Sequence, residues 1–403
     1  MDKSATIGVI GAGTMGSGIA HVAASAGHKT LLFDANTAAT SKAVESIGRN
    51  SSKLVEKGKI TKEVHDEIVG RISVAKELKD LSECDLIIEA IVENIDVKRK
   101  VFSELEDIVK VSCILATNTS SLSVTSIAAS CKLAGRVVGM HFFNPATIMP
   151  LVEIVPGLQT DYTTITAIKE LTSSWGKAPV VAKDTPGFIV NRIARPFYGE
   201  SIRILEEQWN GLPSGEEGMA TIDWAMKELG GFKMGPFELM DLIGNDINYT
   251  VTETVWTQLY YDTRYRPSIT QKRLFEAGRF GKKSGRGYYN YSEGAVQPVA
   301  IKNRELGGQI FSRVLTLLIN EAVEAFYLNI ANRDDIDLAM TKGVNYPKGL
   351  LRWCDELGAA KILNNLHHLR IDYAEERYRP SLLLSKMAKE NSRFYNYHDE
   401  LKL

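Results

Sequence analysis

Apolar positions fall in two regimes along the chain. Up to about residue 185, short runs rich in β-branched residues alternate with stretches of helical period; beyond it, helical period takes over. Ile7-Gly-Val-Ile10 reads as a strand, followed at once by a helical pattern through His21-Val-Ala-Ala-Ser-Ala26, and Lys29-Thr-Leu-Leu-Phe-Asp34 reads as a second strand. Two polar helical stretches follow, roughly 37–57 and 61–69 with Gly58 at the break, which predicts a helical hairpin over 37–70. Four further runs, Arg71–Val74, Asp85–Ile91, Cys113–Thr117 and Arg136–His141, are near-continuously apolar, as parallel strands buried on both faces should be. Helical runs such as Asp96–Lys110 separate them, so this half is predicted to be a doubly wound α/β sheet. Past Lys183-Asp-Thr-Pro-Gly187 the strand signals fade, and Asn191–Gln208 reads as one long helix opening an all-α region.

Composition narrows the classes. With 403 residues, 44% hydrophobic and 24% charged, and a net charge of −1, the chain is an ordinary globular sequence of two or three domains with no basic excess for nucleic acid. No apolar run of about 20 residues would span a membrane, and no apolar signal segment precedes the first strand. Four scattered cysteines without a C-x-x-C pair indicate neither a zinc site nor a disulfide framework, so a reduced, cytoplasmic protein without a metal is expected.

Chemistry enters at the first strand. Gly11, Gly13 and Gly16 stand in the order G-x-G-x-x-G between that strand and the following helix. Such glycines allow a tight turn, close approach of backbone to a pyrophosphate, and tight helix–strand packing. The helix N-terminus then offers free N–H groups and its dipole to the phosphate. Asp34, ending the second strand, is placed as a ribose 2′-hydroxyl acceptor and would repel a 2′-phosphate, which favours NAD(H) over NADP(H). Ligands of such sheets sit beyond the carboxyl ends of the strands. That rule selects Ala90–Glu93, Thr117–Ser121 and His141–Pro145. Of the seven histidines (His21, His28, His65, His141, His367, His368, His398) only His141 lies at a strand's carboxyl end. Glu153 sits inside the apolar run Leu151-Val-Glu-Ile-Val155, where an unpaired charge is costly. The economical partner is His141, whose ring Glu153 would orient for removal of a hydroxyl proton as hydride leaves the carbinol carbon.

These residues, with Glu89-Ala-Ile-Val-Glu93-Asn94, Thr117-Asn-Thr-Ser-Ser-Leu122, His141-Phe-Phe-Asn-Pro145 and Asp184-Thr-Pro-Gly-Phe-Ile-Val-Asn-Arg192, resemble the L-3-hydroxyacyl-CoA dehydrogenase family, which includes 3-hydroxybutyryl-CoA dehydrogenases. The resemblance implies a Rossmann-type NAD-binding domain followed by an all-α domain. It implies His141 as the catalytic base, Glu153 as its orienting partner, and Ser120 and Asn191 as polar groups on the substrate's 3-oxygen. Implied cofactor contacts are Gly11, Gly13, Thr14, Met15, Gly16, Asp34, Glu93, Lys98, Asn144 and Lys283. Asn50 and Lys57 on the hairpin, with Ser120, are implied contacts of the coenzyme A substrate. The substrates implied are 3-hydroxyacyl-CoA and 3-oxoacyl-CoA thioesters, most naturally short-chain ones, with 3-hydroxyadipyl-CoA of aromatic-acid degradation as the alternative.

The helical region also contains an internal repeat. Thr221-Ile-Asp-Trp-Ala-Met226 recurs as Asp335-Ile-Asp-Leu-Ala-Met340, and at the same offset Gly235, Asp241 and Gly244 meet Gly349, Asp355 and Gly358. Asn191-Arg192 followed by Glu200 resembles Ser312-Arg313 followed by Glu321. Arg264-Tyr-Arg-Pro-Ser268 returns as Arg377-Tyr-Arg-Pro-Ser381, and Tyr288-Tyr-Asn-Tyr291 as Phe394-Tyr-Asn-Tyr397. The expected organisation is therefore an NAD-binding domain at 1–185, a helical catalytic copy at 186–291, and a second helical copy, structural, at 302–403, joined by a linker from Gly287 to about Ile301. Ser312 replaces Asn191, and the Phe280–Gly287 segment with Lys282 and Lys283 has no counterpart, so only the first copy is expected to meet substrate. Because single-copy relatives dimerise through this domain, the repeat predicts an internal pseudo-dimer, with a homo-oligomer as the other possibility.

Three other readings are weighed. A hydroxyisobutyrate-type dehydrogenase would use a lysine base and lack His-Phe-Phe-Asn-Pro. A crystallin-like NAD-binding structural protein need not keep Ser120, His141, Glu153 and Asn191 together. A fragment of a multifunctional fatty-acid oxidation enzyme would carry a hydratase-like segment; a stand-alone enzyme is expected instead.

Overall fold

Six parallel strands form the heart of the first half: β1 (Ile7–Ile10), β2 (Thr30–Phe33), β3 (Ile72–Val74), β4 (Leu86–Glu89), β5 (Ile114–Thr117) and β6 (Val137–Phe142). The computed structural model describes residues 1–395. β7 (Leu151–Pro156) and β8 (Ala178–Val181) complete an eight-stranded sheet of order β3-β2-β1-β4-β5-β6-β7-β8. The runs predicted as parallel pair in parallel, but β7 joins β6 antiparallel, and β8, which the apolar pattern does not single out, lies at the edge. The reversal has a simple cause: only residues 143–150 connect β6 to β7, whereas a parallel crossover takes about a dozen or more. β8 contains Pro179, which supplies no ladder N–H and suits an edge position.

Helices α1 (Thr14–Ser25), α2 (Thr37–Glu56), α3 (Lys62–Gly70), α4 (Ile95–Ile108), α5 (Val124–Ala128) and α6 (Tyr162–Ser174) accompany the strands. Asn36 caps α2 and Thr61 caps α3 through side-chain oxygens, with Gly58 at positive φ between them, so the hairpin ends where capping chemistry ends it. Two apolar clusters, around Val9, Ile88 and Ile154 and around Ile87, Leu115 and Phe102, form the core of this unit. The four cysteines are buried free thiols, and burial pushes the thiol pKa of Cys84 and Cys113 up to about 12.

The chain divides into two units, Met1–Phe188 and Ile189 onward. The second is helical: α7 (Val190–Ile193), α8 (Arg195–Glu206), α9 (Gly215–Trp224), α10 (Pro236–Ile243), α11 (Asn245–Gln258), α12 (Ile269–Glu276), α13 (Arg304–Tyr327), α14 (Arg333–Gly343), α15 (Leu350–Leu357), α16 (Ala359–Tyr373) and α17 (Leu382–Glu390). The expected single helix over 191–208 is broken at Ala194, because Pro196 has no N–H and Phe197 turns back to Ala194 O at 3.1 Å. The expected linker begins later than Gly287. Tyr288 and Tyr289 are buried, and both of their N–H groups donate to Asp241 at 2.9 Å. Asn396, Tyr397 and His398, the end of the second repeat motif and the last histidine, lie outside the described residues. Among those described, no helix is long and apolar enough to cross a membrane.

Side-chain bonds of this unit come in matching sets. Arg192 Nε donates to Glu321 at 2.8 Å, and Arg313 Nε to Glu200 at 2.7 Å. Tyr265 donates to Glu321, and Tyr378 donates to Glu200. Asp223 accepts from Phe237 N and Glu238 N and from the Tyr289 hydroxyl; Asp337 accepts from Leu351 N and Arg352 N and from the Tyr395 hydroxyl. Asp355 accepts from Phe394 N and Tyr395 N as Asp241 does from Tyr288 and Tyr289.

Candidate active site

The glycine turn is built as its spacing requires. Gly11 has φ +102°, and a Cβ there would meet Ala90 O at 2.5 Å; a Cβ on Gly16 would meet Gly11 O at 1.8 Å. At Gly13 a Cβ would meet no protein atom within 4 Å, and Gly13 caps α1 without any side-chain hydrogen bond. The first N–H groups of α1 thus open onto clear space, a cradle that suits a pyrophosphate. Asp34, half-buried at the end of β2, accepts from Ala12 N at 2.7 Å and Asn36 N at 2.8 Å, which fixes its carboxylate beside the turn.

His141 and Glu153 are cross-strand neighbours in the antiparallel β6–β7 pair, so register alone aims both side chains at the same face. Nδ1 of His141 lies 2.7 Å from Glu153 Oε2, and both residues are buried. An ionised carboxylate only accepts, so Nδ1 carries the proton and Nε2 is the basic nitrogen of the neutral ring. Phe143 and Phe188 flank the imidazole with ring centroids 4.6 and 5.8 Å away. Phe188 holds φ +45°, a strained setting for an aromatic residue, and is buried.

The serine loop after β5 hangs on one carboxylate. Glu93 Oε1 accepts from Thr119 Oγ1 at 2.6 Å, Ser120 N at 3.0 Å and Ser121 N at 3.2 Å, with the Ser120 hydroxyl at 3.5 Å. Asn118 anchors the same loop to β6 by accepting from Phe142 N at 2.8 Å. Burial raises the Glu93 carboxyl, but Lys98 and these donors outweigh it and hold the group below its ordinary range. Lys98, on a helix whose sequence reads as a solvated charged face, is instead buried: its ammonium lies 2.6 Å from Glu89 and 3.4 Å from Glu93. A solvated surface charge is therefore ruled out for Lys98.

A cleft of about 400 Å³ runs beside the glycine turn, lined by Gly13 of the turn, Thr14 of α1, Lys42 and Asn50 of α2, and Asn144 and Thr147 after β6. Asn50 and Asn144 thus face the same space as the turn, whereas Met15, in the first turn of α1, packs against the apolar core and Lys57 stands exposed at the C-cap of α2. Two predicted residues belong to the helical unit: Asn191 in α7, and Lys283, whose ammonium pairs with Asp246 at 2.6 Å. Sequence reasoning placed Glu89, Thr119, Phe143 and Phe188 within its motifs but gave none of them a role of its own. Glu89 carries the same signal that selected Glu153, an acid in an apolar strand (Leu86-Ile-Ile-Glu89). No comparable signal marks the two phenylalanines.

Comparison with known proteins agrees with this geometry. The family model described as 3-hydroxyacyl-CoA dehydrogenase, NAD binding domain, matches residues 6–185, and the C-terminal domain model of the same family matches residues 187–291 and 308–394. The chain is 36% identical to the 3-hydroxyadipyl-CoA dehydrogenase of Escherichia coli K12, over 95% of this chain and 97% of that one. It is 41% identical to the 3-hydroxybutyryl-CoA dehydrogenase of Clostridioides difficile, over 71% of this chain and 99% of that one. A crystal structure of a 3-hydroxybutyryl-CoA dehydrogenase from Escherichia coli K12 superposes with a TM-score of 0.89 at 36% identity, covering 96% of this chain and 98% of that chain. A glycine turn poised for a dinucleotide, a strand-end histidine held by a carboxylate, and these matches along nearly the whole length establish that the chain belongs to the NAD-dependent 3-hydroxyacyl-CoA dehydrogenase family.

Proposed function

We propose that the protein interconverts (3S)-3-hydroxyacyl-CoA and 3-oxoacyl-CoA. The observation that carries this reading is the buried His141–Glu153 couple at the strand ends of an NAD-binding fold. Nε2 of His141 takes the hydroxyl proton in oxidation and returns it to the carbonyl oxygen in reduction, while Glu153 fixes the tautomer and stabilises the imidazolium. Bound NAD supplies the hydride acceptor. The Ser120 hydroxyl and the Asn191 amide hold the 3-oxygen where charge develops. Gly11, Gly13, Thr14, Met15 and Gly16 bind the pyrophosphate, Asp34 the adenosine ribose, and Glu93, Lys98, Asn144 and Lys283 the nicotinamide end. Asn50 and Lys57 receive the coenzyme A portion.

The preferred acyl chain is short, as in 3-hydroxybutyryl-CoA. A second reading, 3-hydroxyadipyl-CoA, rests on the name of one relative; coverage does not separate the two, because that relative aligns with 95% of this chain and the structure named 3-hydroxybutyryl-CoA dehydrogenase covers 96%. The organisation that fits is a nucleotide domain at 1–185, a catalytic helical copy at 186–291 and a structural copy from 302 to the end. The reciprocal Arg192–Glu321 and Arg313–Glu200 bonds support an isologous contact between the copies, an internal pseudo-dimer. A reducing, cytoplasmic setting suits four buried free thiols.

The test is NADH consumption with acetoacetyl-CoA, longer 3-oxoacyl-CoAs and 3-oxoadipyl-CoA, with NADPH in parallel. Turnover of at least one thioester with NADH well above NADPH is expected. Absence of turnover with every thioester would overturn the reading, and a marked preference for 3-oxoadipyl-CoA would select the second one.

A further inference from the structure

Glu89 is the last residue of β4, beside Ile10 of β1 on one side and Thr117 of β5 on the other, next to the glycine turn. Its side chain has no solvent exposure. One oxygen accepts from Ile91 N at 2.7 Å and from the Lys98 ammonium at 2.6 Å; the other accepts from the Thr117 hydroxyl at 2.7 Å. Lys98 is itself only 1% exposed. Burying two such charges gives little net stability, and an apolar pair of the same volume would serve a purely structural purpose as well. What distinguishes this pair is its second contact. The same ammonium reaches Glu93, 3.4 Å away, whose side chain is 36% exposed and organises Thr119, Ser120 and Ser121. A closed carboxylate thus holds a cation against an open one.

We infer that Glu89 is a positioning residue: it fixes Lys98, and through Lys98 the Glu93 carboxylate, in the geometry that receives the nicotinamide-ribose end of NAD. The inference rests on the reading of Glu93 and Lys98 as cofactor contacts. The Glu89 side chain has no exposed surface, so its influence on the site runs through its partners. Removing its charge leaves the Lys98 ammonium free to swing wholly toward Glu93 and to weaken that carboxylate's grip on the ribose. The effect belongs to NADH affinity rather than to proton transfer at His141.

The experiment is a double-mutant cycle on the full chain with Glu89→Gln, Lys98→Met and both together. NADH affinity is read by fluorescence titration, kcat and both KM values with acetoacetyl-CoA, and melting temperature without ligand. Glu89→Gln is expected to raise the KM and Kd for NADH about tenfold while kcat and the thioester KM stay within about twofold. In the Lys98→Met background the same change is expected to add nothing to the NADH KM. A lowered melting temperature with unchanged NADH affinity, or additive effects in the cycle, would overturn the inference. If Lys98→Met alone leaves NADH affinity unchanged, the cofactor reading of Lys98 has failed instead. Should Glu89→Gln not fold, Thr117→Val keeps both charges and removes one anchor of Glu89. It is expected to raise the NADH KM about threefold, and an unchanged KM there would overturn the inference.

Discussion

The two stretches that match one C-terminal domain model, 187–291 and 308–394, share a frame and differ inside it. Arginine, glutamate and tyrosine form the same buried bonds in both, and Asp223 and Asp337 hold equivalent helix starts. In the first stretch the frame encloses a polar cluster: Arg195 donates to Thr252 at 3.0 Å, and Gln271 donates to Asn248 and Thr252. At the corresponding places of the second stand Thr316, Leu366, Leu384 and Ile362, all buried. Burying polar groups costs stability unless every one is satisfied, so a stretch with only a structural task drifts toward leucine and isoleucine. The frame recurs in both stretches, while the polar interior and Asn191 stand in the first alone, as the proposed division of labour requires.

That contrast can be broken in order of expected effect. Glu321→Gln and Glu200→Gln each strand a buried arginine and should each lower stability by about 3–5 kcal/mol. Denaturant melts of the two variants check this, and a large loss from one alone would show that the bonds are not equivalent. Asn191→Ala should lower kcat about 10²- to 10³-fold, as loss of an oxyanion donor does, while Ser312→Ala should leave it unchanged. Steady-state rates decide, and equal effects would erase the division of labour.

The smallest expected effect is in pH dependence. Burial, the largest influence, pushes Asp223 up to about 7 against the Tyr289, Phe237 and Glu238 donors, and burial likewise raises Asp337. An acid whose folded pKa is raised gives stability that is full below its unfolded value and is lost as pH rises through the folded one. The destabilisation caused by Asp223→Asn should therefore shrink between pH 5 and pH 8, and that of Asp337→Asn should change with the same sign. Thermal melts across that window measure it, and a pH-independent penalty in both would contradict the assignment.

Much of the nucleotide unit was legible because β1 to β6 are short apolar runs and Gly11, Asn36, Gly58 and Thr61 stand where the backbone turns or a helix begins. Glu153 was legible because a charge inside Leu151-Val-Glu-Ile-Val155 demands a partner. The antiparallel β7 was readable in principle from the eight residues between β6 and β7, too short for a crossover. Lys98 was not. Within Ile95-Asp-Val-Lys-Arg-Lys100 it looks like its neighbours, and only the packing of α4 turns it inward onto Glu89. Nor does Asn191 reveal the helix break at Ala194, three residues on, just before Pro196 removes a donor that helical period alone does not register.

The central claim is that proton transfer runs through His141 as held by Glu153. It is tested most directly by measuring kcat for acetoacetyl-CoA reduction in His141→Ala alongside NADH affinity by fluorescence titration. The account predicts that kcat falls about 10³-fold while NADH binds within about twofold of the unsubstituted protein; an unchanged kcat, with NADH still bound, would contradict it.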